Sequence, residues 1–253
     1  YFDVLGELIK REKRELPFDP CRDFAYLTEE ELKKSGIREE YLRFKESYAG
    51  IHLYEFMRIA REITPFDTLG HIAGVHHVAM SVARQLEKRD IPVDLALLSA
   101  AAILHDVGKF GCRPGEARRV PYLHYYYTRQ FANRFRLEGI GHIAANHSTW
   151  DLELENLSVE NLLLIYADFR VKSVRENHKE KVCFWSLDDA YEVILGKLDN
   201  VDETKRRRYG KVFSKLKDFE NYLKSLGVSV GLNGEPALDV EDREPGLLEM
   251  PQL

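Results

Sequence analysis

The chain has 253 residues, of which 44% are hydrophobic and 31% charged, and its net charge is −5. This composition is typical of globular domains, and no apolar run approaches the roughly eighteen residues of a membrane-spanning helix. Three scattered cysteines predict a reducing, cytoplasmic location without disulfides, and the acidic balance argues against a general nucleic-acid binder.

The first predicted helix begins with a capping box. In "YLTEEELKKSG", Thr28 is a typical N-cap residue, Glu31 stands three residues later, and Gly36 is a stop signal. Apolar residues at helical spacing then predict helices over 68–89, 94–108, 122–137, 139–147, 158–177, 186–197 and 201–225. The best strand candidate is the short stretch "GVSVGL", Gly227–Leu232.

These segments predict an all-α protein. We expect extra N-terminal helices over 1–67, a central helical bundle over 68–177, C-terminal helices over 178–226, and a tail or linker over 227–253. The end of the chain is rich in Pro, Gly and acidic residues, as linkers are. The first residue is Tyr1 rather than Met, so a trimmed or excised chain is also expected.

An ionisable pair, His105-Asp106, ends the apolar segment "DLALLSAAAILHD". A carboxylate beside an imidazole at the edge of a core needs a compensating charge, and a divalent cation supplies one. The dipeptide alone also fits an ordinary capped helix end. Further His and Asp residues are needed to distinguish the two interpretations.

Helix geometry ranks the three histidines of "LGHIAGVHHVAM". At about 100° per residue, His71 falls on the valine stripe that faces the core. His76 and His77 point about 140° and about 120° away from it, in opposite senses. We therefore predict that His71 faces the site, and that His76 and His77 lie on the helix surface or behind the ligands.

Three more residues share apolar helix faces. His124 lies on one face with phenylalanines, His147 on one with isoleucines, and Asp168 in "YADFR" on an apolar stripe. Each alone is more often a hydrogen-bonded core residue than a ligand. Together with His71 and His105-Asp106, they indicate a metal site.

The pattern resembles the H…HD…D signature of the HD-domain metal-dependent phosphohydrolases, over about residues 68–175. "HDVGK" fits the HD-x-G-K form, and His124 and His147 match positions found in dinuclear members. Such members include the bacterial symmetrical diadenosine tetraphosphate hydrolases and the HD-GYP cyclic-di-GMP phosphodiesterases. The chain differs from the latter, because one histidine stands at "NHST" and no Gly-Tyr-Pro follows. The resemblance implies an HD-domain helical bundle as the core.

The resemblance also implies two divalent transition-metal ions. One would be held by four residues, His71, His105, Asp106 and Asp168. The second would share Asp106, which is thus also a catalytic residue, and would add His124 and His147. Nitrogen and oxygen donors without thiolate suit Fe or Mn, and also Zn, Co or Ni, rather than Ca. Such a pair holds a bridging hydroxide as the nucleophile for in-line attack on phosphorus.

Basic residues near the motifs are candidates for substrate binding. Lys109 would act beside the metals as a catalytic and phosphate-binding cation. Arg170, just after Asp168, would contact further phosphates or pair with nearby acidic residues. Arg118 and Arg119, before His124, would contact the substrate at the rim of the site. The expected partner is therefore a small nucleotide-type phosphodiester or phosphoanhydride, and the resemblance favours a dinucleoside polyphosphate.

Three other functions remain open at this stage. A mononuclear nucleotidase or deoxynucleotide triphosphatase would use His124 and His147 only to orient its substrate. An HD nuclease would act on nucleic acid, which the acidic balance disfavours, and a non-catalytic HD domain would sense a nucleotide. The superfamily leads us to expect a homodimer, but no interface can be read from the sequence.

Overall fold

The computed structural model of the chain describes residues 2–4, 7, 26–50, 68–148, 157–176, 179–197, 201–231 and 236–238. The predicted all-α class is confirmed, because helices make up most of these residues. They are α1 (Glu29–Leu32), α2 (Arg38–Gly50), α3 (Thr68–Glu87), α4 (Leu95–Leu104), α5 (Val120–Arg134), α6 (Glu138–Ala145), α7 (Val159–Arg170), α8 (Leu187–Lys197) and α9 (Glu203–Ser225). Two 3-10 helices, Val107–Gly111 and Pro114–Arg119, join α4 to α5.

A small antiparallel sheet follows α7. Its strands are β1 (Val171–Glu176), β2 (Lys179–Phe184) and β3 (Pro236–Leu238), and they lie in the order β1-β2-β3. The helix predicted over 158–177 is therefore wrong beyond Arg170. Val171 instead has extended backbone angles and pairs with Phe184. The Lys, Arg and Glu of this segment favour a helix locally, but the pairing of β1 with β2 overrides that preference.

The strand predicted at Gly227–Leu232 is also wrong over its described residues, 227–231. Gly227 has φ +71° and lies just after the end of α9. The amide of Val228 donates to the carbonyl of Leu223 at 3.0 Å, which closes the last turn. This is the usual glycine-terminated end of a helix.

Helix α4 is the centre of the bundle. Its residues are apolar on every side and nearly all buried, and it packs against α3, α6 and α7. The N-cap Asp94 accepts hydrogen bonds from the amides of Ala96 and Leu97, both at 3.0 Å. The helix predicted over 94–108 ends at Leu104. His105 still has helical backbone angles, and the chain departs from them at Asp106, directly before the first 3-10 helix.

Residues 26–50 pack onto this bundle. The predicted capping box is present, since Thr28 accepts from the amide of Glu31 and Glu31 accepts from the amide of Thr28. Glu40 on α2 accepts from the amide of Ile140 at 2.7 Å. Among the described residues, no helix combines the length and the apolar character that a membrane crossing requires.

Candidate metal centre

The fold brings all six predicted ligands together around the end of α4: His71 from α3, His105 and Asp106 after α4, His124 from α5, His147 after α6, and Asp168 from α7. Five of them form two overlapping groups, in each of which the ligand atoms lie within 4.8 Å of one another. We call His71, His105 and Asp106 the first triad, and Asp106, His124 and His147 the second triad. Asp106 belongs to both.

The first triad is the more open of the two. His71 Nε2 lies 3.5 Å from Asp106 Oδ2 and 3.3 Å from His105 Nε2. Asp168 adds a second carboxylate, whose Oδ1 is 3.0 Å from His71 Nε2. The side chains of His71 and Asp168 are 15% and 25% exposed, whereas His105 is fully buried. Solvent therefore reaches the cluster on the side of His71 and Asp168.

The second triad is buried. His124 Nε2 lies 3.4 Å from His147 Nε2 and 3.7 Å from Asp106 Oδ1. Asp106 thus presents Oδ1 to the second triad and Oδ2 to the first. The rings of His105 and His147 meet edge to face, with centroids 4.9 Å apart, so the two triads are in direct contact.

Backbone carbonyls fix which ring nitrogen of each buried histidine faces the cluster. Each Nδ1 contacts a carbonyl of its own helix, His105 with Ala102 at 2.7 Å, His124 with Val120 at 2.8 Å and His147 with Ala144 at 2.6 Å. A carbonyl only accepts, so Nδ1 is the protonated nitrogen and each Nε2 carries a free lone pair. All three lone pairs face the cluster.

Burial also keeps these rings uncharged. It lowers the pKa of His105, His124 and His147 to about 4, well below that of an exposed imidazole. At neutral pH the three rings are therefore neutral, which is the form that binds a metal.

The two carboxylates are ionised. Burial alone would raise the pKa of Asp106, but the ammonium of Lys109, 2.5 Å from Oδ2, holds that pKa well below its ordinary value. Asp168 is affected in the same way by Lys172 and by its hydrogen bond with His71. The cluster thus combines neutral nitrogen donors with anionic oxygen donors.

The model of the HD-domain family matches residues 68–182, a range that contains every residue of the cluster. This segment is an HD domain. HD domains belong to the metal-dependent phosphohydrolase superfamily and bind divalent metal ions. Neither a curated protein nor a solved structure matches the chain.

The donor set of this HD domain fits such ions. The Nε2 lone pairs of His124 and His147 face each other at 3.4 Å, an arrangement that is unfavourable unless a cation lies between them. Both carboxylates are ionised and close to imidazole nitrogens, and the mixed nitrogen and oxygen donors suit a first-row transition metal.

The "HDVGK" segment of the HD domain is held against α5. Lys109 lies in the 3-10 helix that follows Asp106. Thr128 on α5 accepts from the amide of Gly108 at 3.0 Å and donates to the carbonyl of His105 at 3.2 Å. Thr128 is not among the residues predicted from the sequence. Its only signal is its place one turn after His124.

The predicted substrate-binding arginines have different surroundings. Arg118 and Arg119 are exposed at the end of the second 3-10 helix, directly before α5. Tyr125 lies nearer the cluster: its ring centroid is 3.8 Å from that of His124 and 4.8 Å from that of His147. Tyr125 is partly exposed, so it covers the second triad on the solvent side.

Arg170 is 3% exposed and faces other partners. Its guanidinium donates to the carbonyls of Trp185 and Val230, both at 2.8 Å, and to the hydroxyl of Tyr166 at 3.0 Å. A guanidinium buried and bonded in this way does not reach a phosphate. The structure therefore argues against the predicted phosphate contact of Arg170.

The neighbouring histidines of α3 lie outside both triads. His77 is exposed, as predicted. Of the two positions predicted for His76, the helix surface is wrong, because His76 is buried and its Nε2 lies 2.9 Å from Ser99 Oγ. Helix α3 is covered by α4 and α7 and also by the sheet, so more than one of its faces is internal.

Proposed function

We propose that this HD domain is a dinuclear phosphohydrolase that cleaves a nucleotide-type phosphodiester or phosphoanhydride. One observation carries the proposal: Asp106 directs one carboxylate oxygen into each of two histidine-containing triads. A carboxylate shared in this way is suited to join two cations. Dinucleoside polyphosphates are the leading candidates for the substrate, because they present several phosphates between nucleosides.

The ligands of the first ion would be His71, His105, Asp106 and Asp168, and those of the second Asp106, His124 and His147. Iron or manganese is favoured, and zinc, cobalt and nickel fit the same donors. When bound, the two ions supply a water molecule of lowered pKa as the nucleophile, and positive charge for the phosphate oxygens of an in-line displacement.

The chain itself would orient and neutralise the substrate. Lys109, which contacts Asp106 through Nζ, lies close enough to the cluster to exchange that contact for a phosphate oxygen. Arg118 and Arg119, exposed before α5, would bind phosphates further from the cleaved bond. Tyr125 would exclude water from the second triad on its solvent side. A cytoplasmic site of action is part of the proposal, since the three cysteines are widely spaced in the sequence and form no Cys-x-x-Cys pattern.

Metal content tests this proposal most directly. Protein purified without chelator or metal-affinity resin is expected to contain about two equivalents of transition metal per chain, and His147→Ala about one. His142→Ala is the matched control, because His142 lies on α6, five residues before His147, and is exposed. The loaded protein is then assayed against dinucleoside polyphosphates, cyclic dinucleotides, deoxynucleoside triphosphates and single-stranded oligonucleotides.

Each alternative has its own outcome in this assay. A single equivalent that survives His147→Ala, with turnover of deoxynucleoside triphosphates, would identify a mononuclear nucleotidase. Cleavage of oligonucleotides alone would identify a nuclease. Full metal loading with no turnover of any substrate would identify a nucleotide-sensing domain.

A further inference from the structure

The last turn of α7 carries two charged side chains with different surroundings. Asp168 Oδ1 lies 3.0 Å from His71 Nε2 at the first triad. Arg170 follows two residues later, about 200° further round the helix, so its side chain leaves on the opposite side. One short piece of helix therefore joins the metal centre to the C-terminal part of the chain.

Arg170 clamps the junction between α7 and β1. It donates through Nε to the carbonyl of Trp185, and through Nη1 to the carbonyl of Val230 and the hydroxyl of Tyr166. The Trp185 amide donates back to the carbonyl of Arg170 at 2.8 Å, and its indole donates to the carbonyl of Lys172 at 3.2 Å. Both sides of the junction are thus fixed.

A carboxylate on another helix balances the charge of Arg170. Tyr166 Oη donates to Glu220 Oε2 of α9 at 2.9 Å, so the phenol bridges the guanidinium and the carboxylate. Glu220 is buried, and its other oxygen accepts from Lys224. The guanidinium carbon also lies 5.3 Å from the centroid of the Tyr166 ring, within the range of cation–π attraction.

Such a network fixes the position of the end of α7 more than it adds to the free energy of unfolding. Buried charges lose hydration, and this cost offsets most of their mutual attraction, so apolar residues of the same size would stabilise the fold at least as well. Hydrogen bonds of fixed geometry, however, leave the end of α7 only one position relative to α9 and Val230. The carboxylate of Asp168, on the same turn, is placed along with it.

We infer that Arg170, acting through Tyr166 and Glu220, is a positioning residue for the first metal site. It holds Asp168 at the distance from His71 at which both side chains reach one ion. The inference rests on the proposed function in one respect, that Asp168 is a metal ligand. It gives Arg170 a role at the site that needs no contact with the substrate.

Two parent variants separate the metal sites for the test. His147→Ala leaves the first site, and His71→Ala leaves the second. Arg170→Gln is added to each parent, and the metal-free proteins are titrated with Mn²⁺ while free Mn²⁺ is followed by electron paramagnetic resonance. The matched control is Glu160→Gln, at the other end of α7, where Glu160 is buried and accepts from the amide of Asp94 at 2.9 Å.

Arg170→Gln is expected to weaken Mn²⁺ binding about tenfold or more in the His147→Ala parent, and less than about twofold in the His71→Ala parent. Glu160→Gln is expected to leave both affinities unchanged. Equal weakening in the two parents, or no weakening in either, would overturn the inference, since a purely structural role does not discriminate between the sites.

Tyr166→Phe decides the question if Arg170→Gln does not fold. It removes the hydroxyl that joins Arg170 to Glu220, and the same preference for the first site is expected with a smaller loss. Absence of Mn²⁺ binding in both parents would reject the metal centre and the inference together. Mn²⁺ binding with the expected preference, but without hydrolysis of any substrate, would reject the proposed function alone.

Discussion

The backbone of Gly108 lies directly against that of His124. A Cβ added at Gly108 would stand 1.8 Å from the carbonyl oxygen of His124 and 2.6 Å from the amide nitrogen of Thr128. No side chain fits between these atoms. The absence of a side chain at Gly108 therefore allows the segment after Asp106 to approach α5, and so allows His124 to approach Asp106.

Gly108→Ala should consequently destabilise the fold and disturb the second triad. The added methyl group forces α5 outward, and overpacking of this kind costs about 1–3 kcal/mol of unfolding free energy. Chemical denaturation measures the loss, and elemental analysis should show that the second metal is lost before the first. Gly115→Ala is the control, because nothing lies within 4 Å of its added Cβ. Equal effects of the two substitutions would contradict the close-contact argument.

Asp106→Ala is expected to remove both metals, because it deletes the anion shared by the two triads. Two metal ions would stabilise the transition state by several kcal/mol, so their loss should lower kcat about a thousandfold or more. Asp106→Asn, which keeps the shape but not the charge, should behave in the same way. His77→Ala should retain metal and activity, since His77 is exposed. An empty site in His77→Ala would show that His71 is not the ligand on α3.

The buried His76 should make the fold sensitive to acid. Burial lowers the pKa of His76 to about 3, while the unfolded chain has an ordinary value near 6.5. As pH falls below about 6.5, the unfolded state takes up a proton that the folded state excludes, and the free energy of unfolding decreases until the pH nears the folded pKa. At pH 5 this decrease amounts to about 2 kcal/mol for one histidine.

His76→Gln isolates that contribution. Between pH 7 and pH 5 the variant should lose about 2 kcal/mol less unfolding free energy than the unchanged protein. The other buried histidines titrate in both proteins, so their effect cancels in the difference. Denaturation curves at the two pH values provide the measurement. Identical losses in the two proteins would mean that His76 is protonated, or exposed to water, in the folded state.

Arg118→Ala and Arg119→Ala test the proposed phosphate contacts. A charged contact made equally to substrate and transition state affects KM rather than kcat, so we expect KM to rise about tenfold per arginine with little change in kcat. Arg207→Ala, an exposed arginine on α9, serves as the control. An unchanged KM in the double variant would remove both arginines from the substrate site.

Helix phase relative to an apolar stripe explains how the sequence could indicate residues of the cluster. His71 and Asp168 each share a helix face with core residues, so helix phase alone points them inward. His147 lies just beyond the end of α6, and its ring is directed by the contact of Nδ1 with the carbonyl of Ala144. The same reasoning fails for His76, because α3 has more than one buried face. On such a helix, the angle of a residue from one apolar stripe does not predict whether that residue is buried or exposed.

Other features depend on contacts between distant segments. The hairpin β1–β2 forms from residues with good helix propensity, and its start is fixed by Trp185, fifteen residues after Arg170. The direction of the Arg170 side chain likewise depends on Val230 and on the Tyr166–Glu220 pair. Sequence spacing predicts where an arginine lies on a helix, but it does not predict which distant carbonyl accepts the hydrogen bond of its guanidinium.

Each buried imidazole of the cluster is tied to a carbonyl three or four residues back on its own helix. The ring consequently turns with its helix and not independently of it. A shift of α4, α5 or α6 carries the attached nitrogen with it, so in the proposed dinuclear centre the separation of the two ions would depend on how these helices are spaced. Ile103 is an apolar residue buried on α4, two residues before His105. A substitution of Ile103 that shifts α4 would therefore change the distance between the two proposed ions.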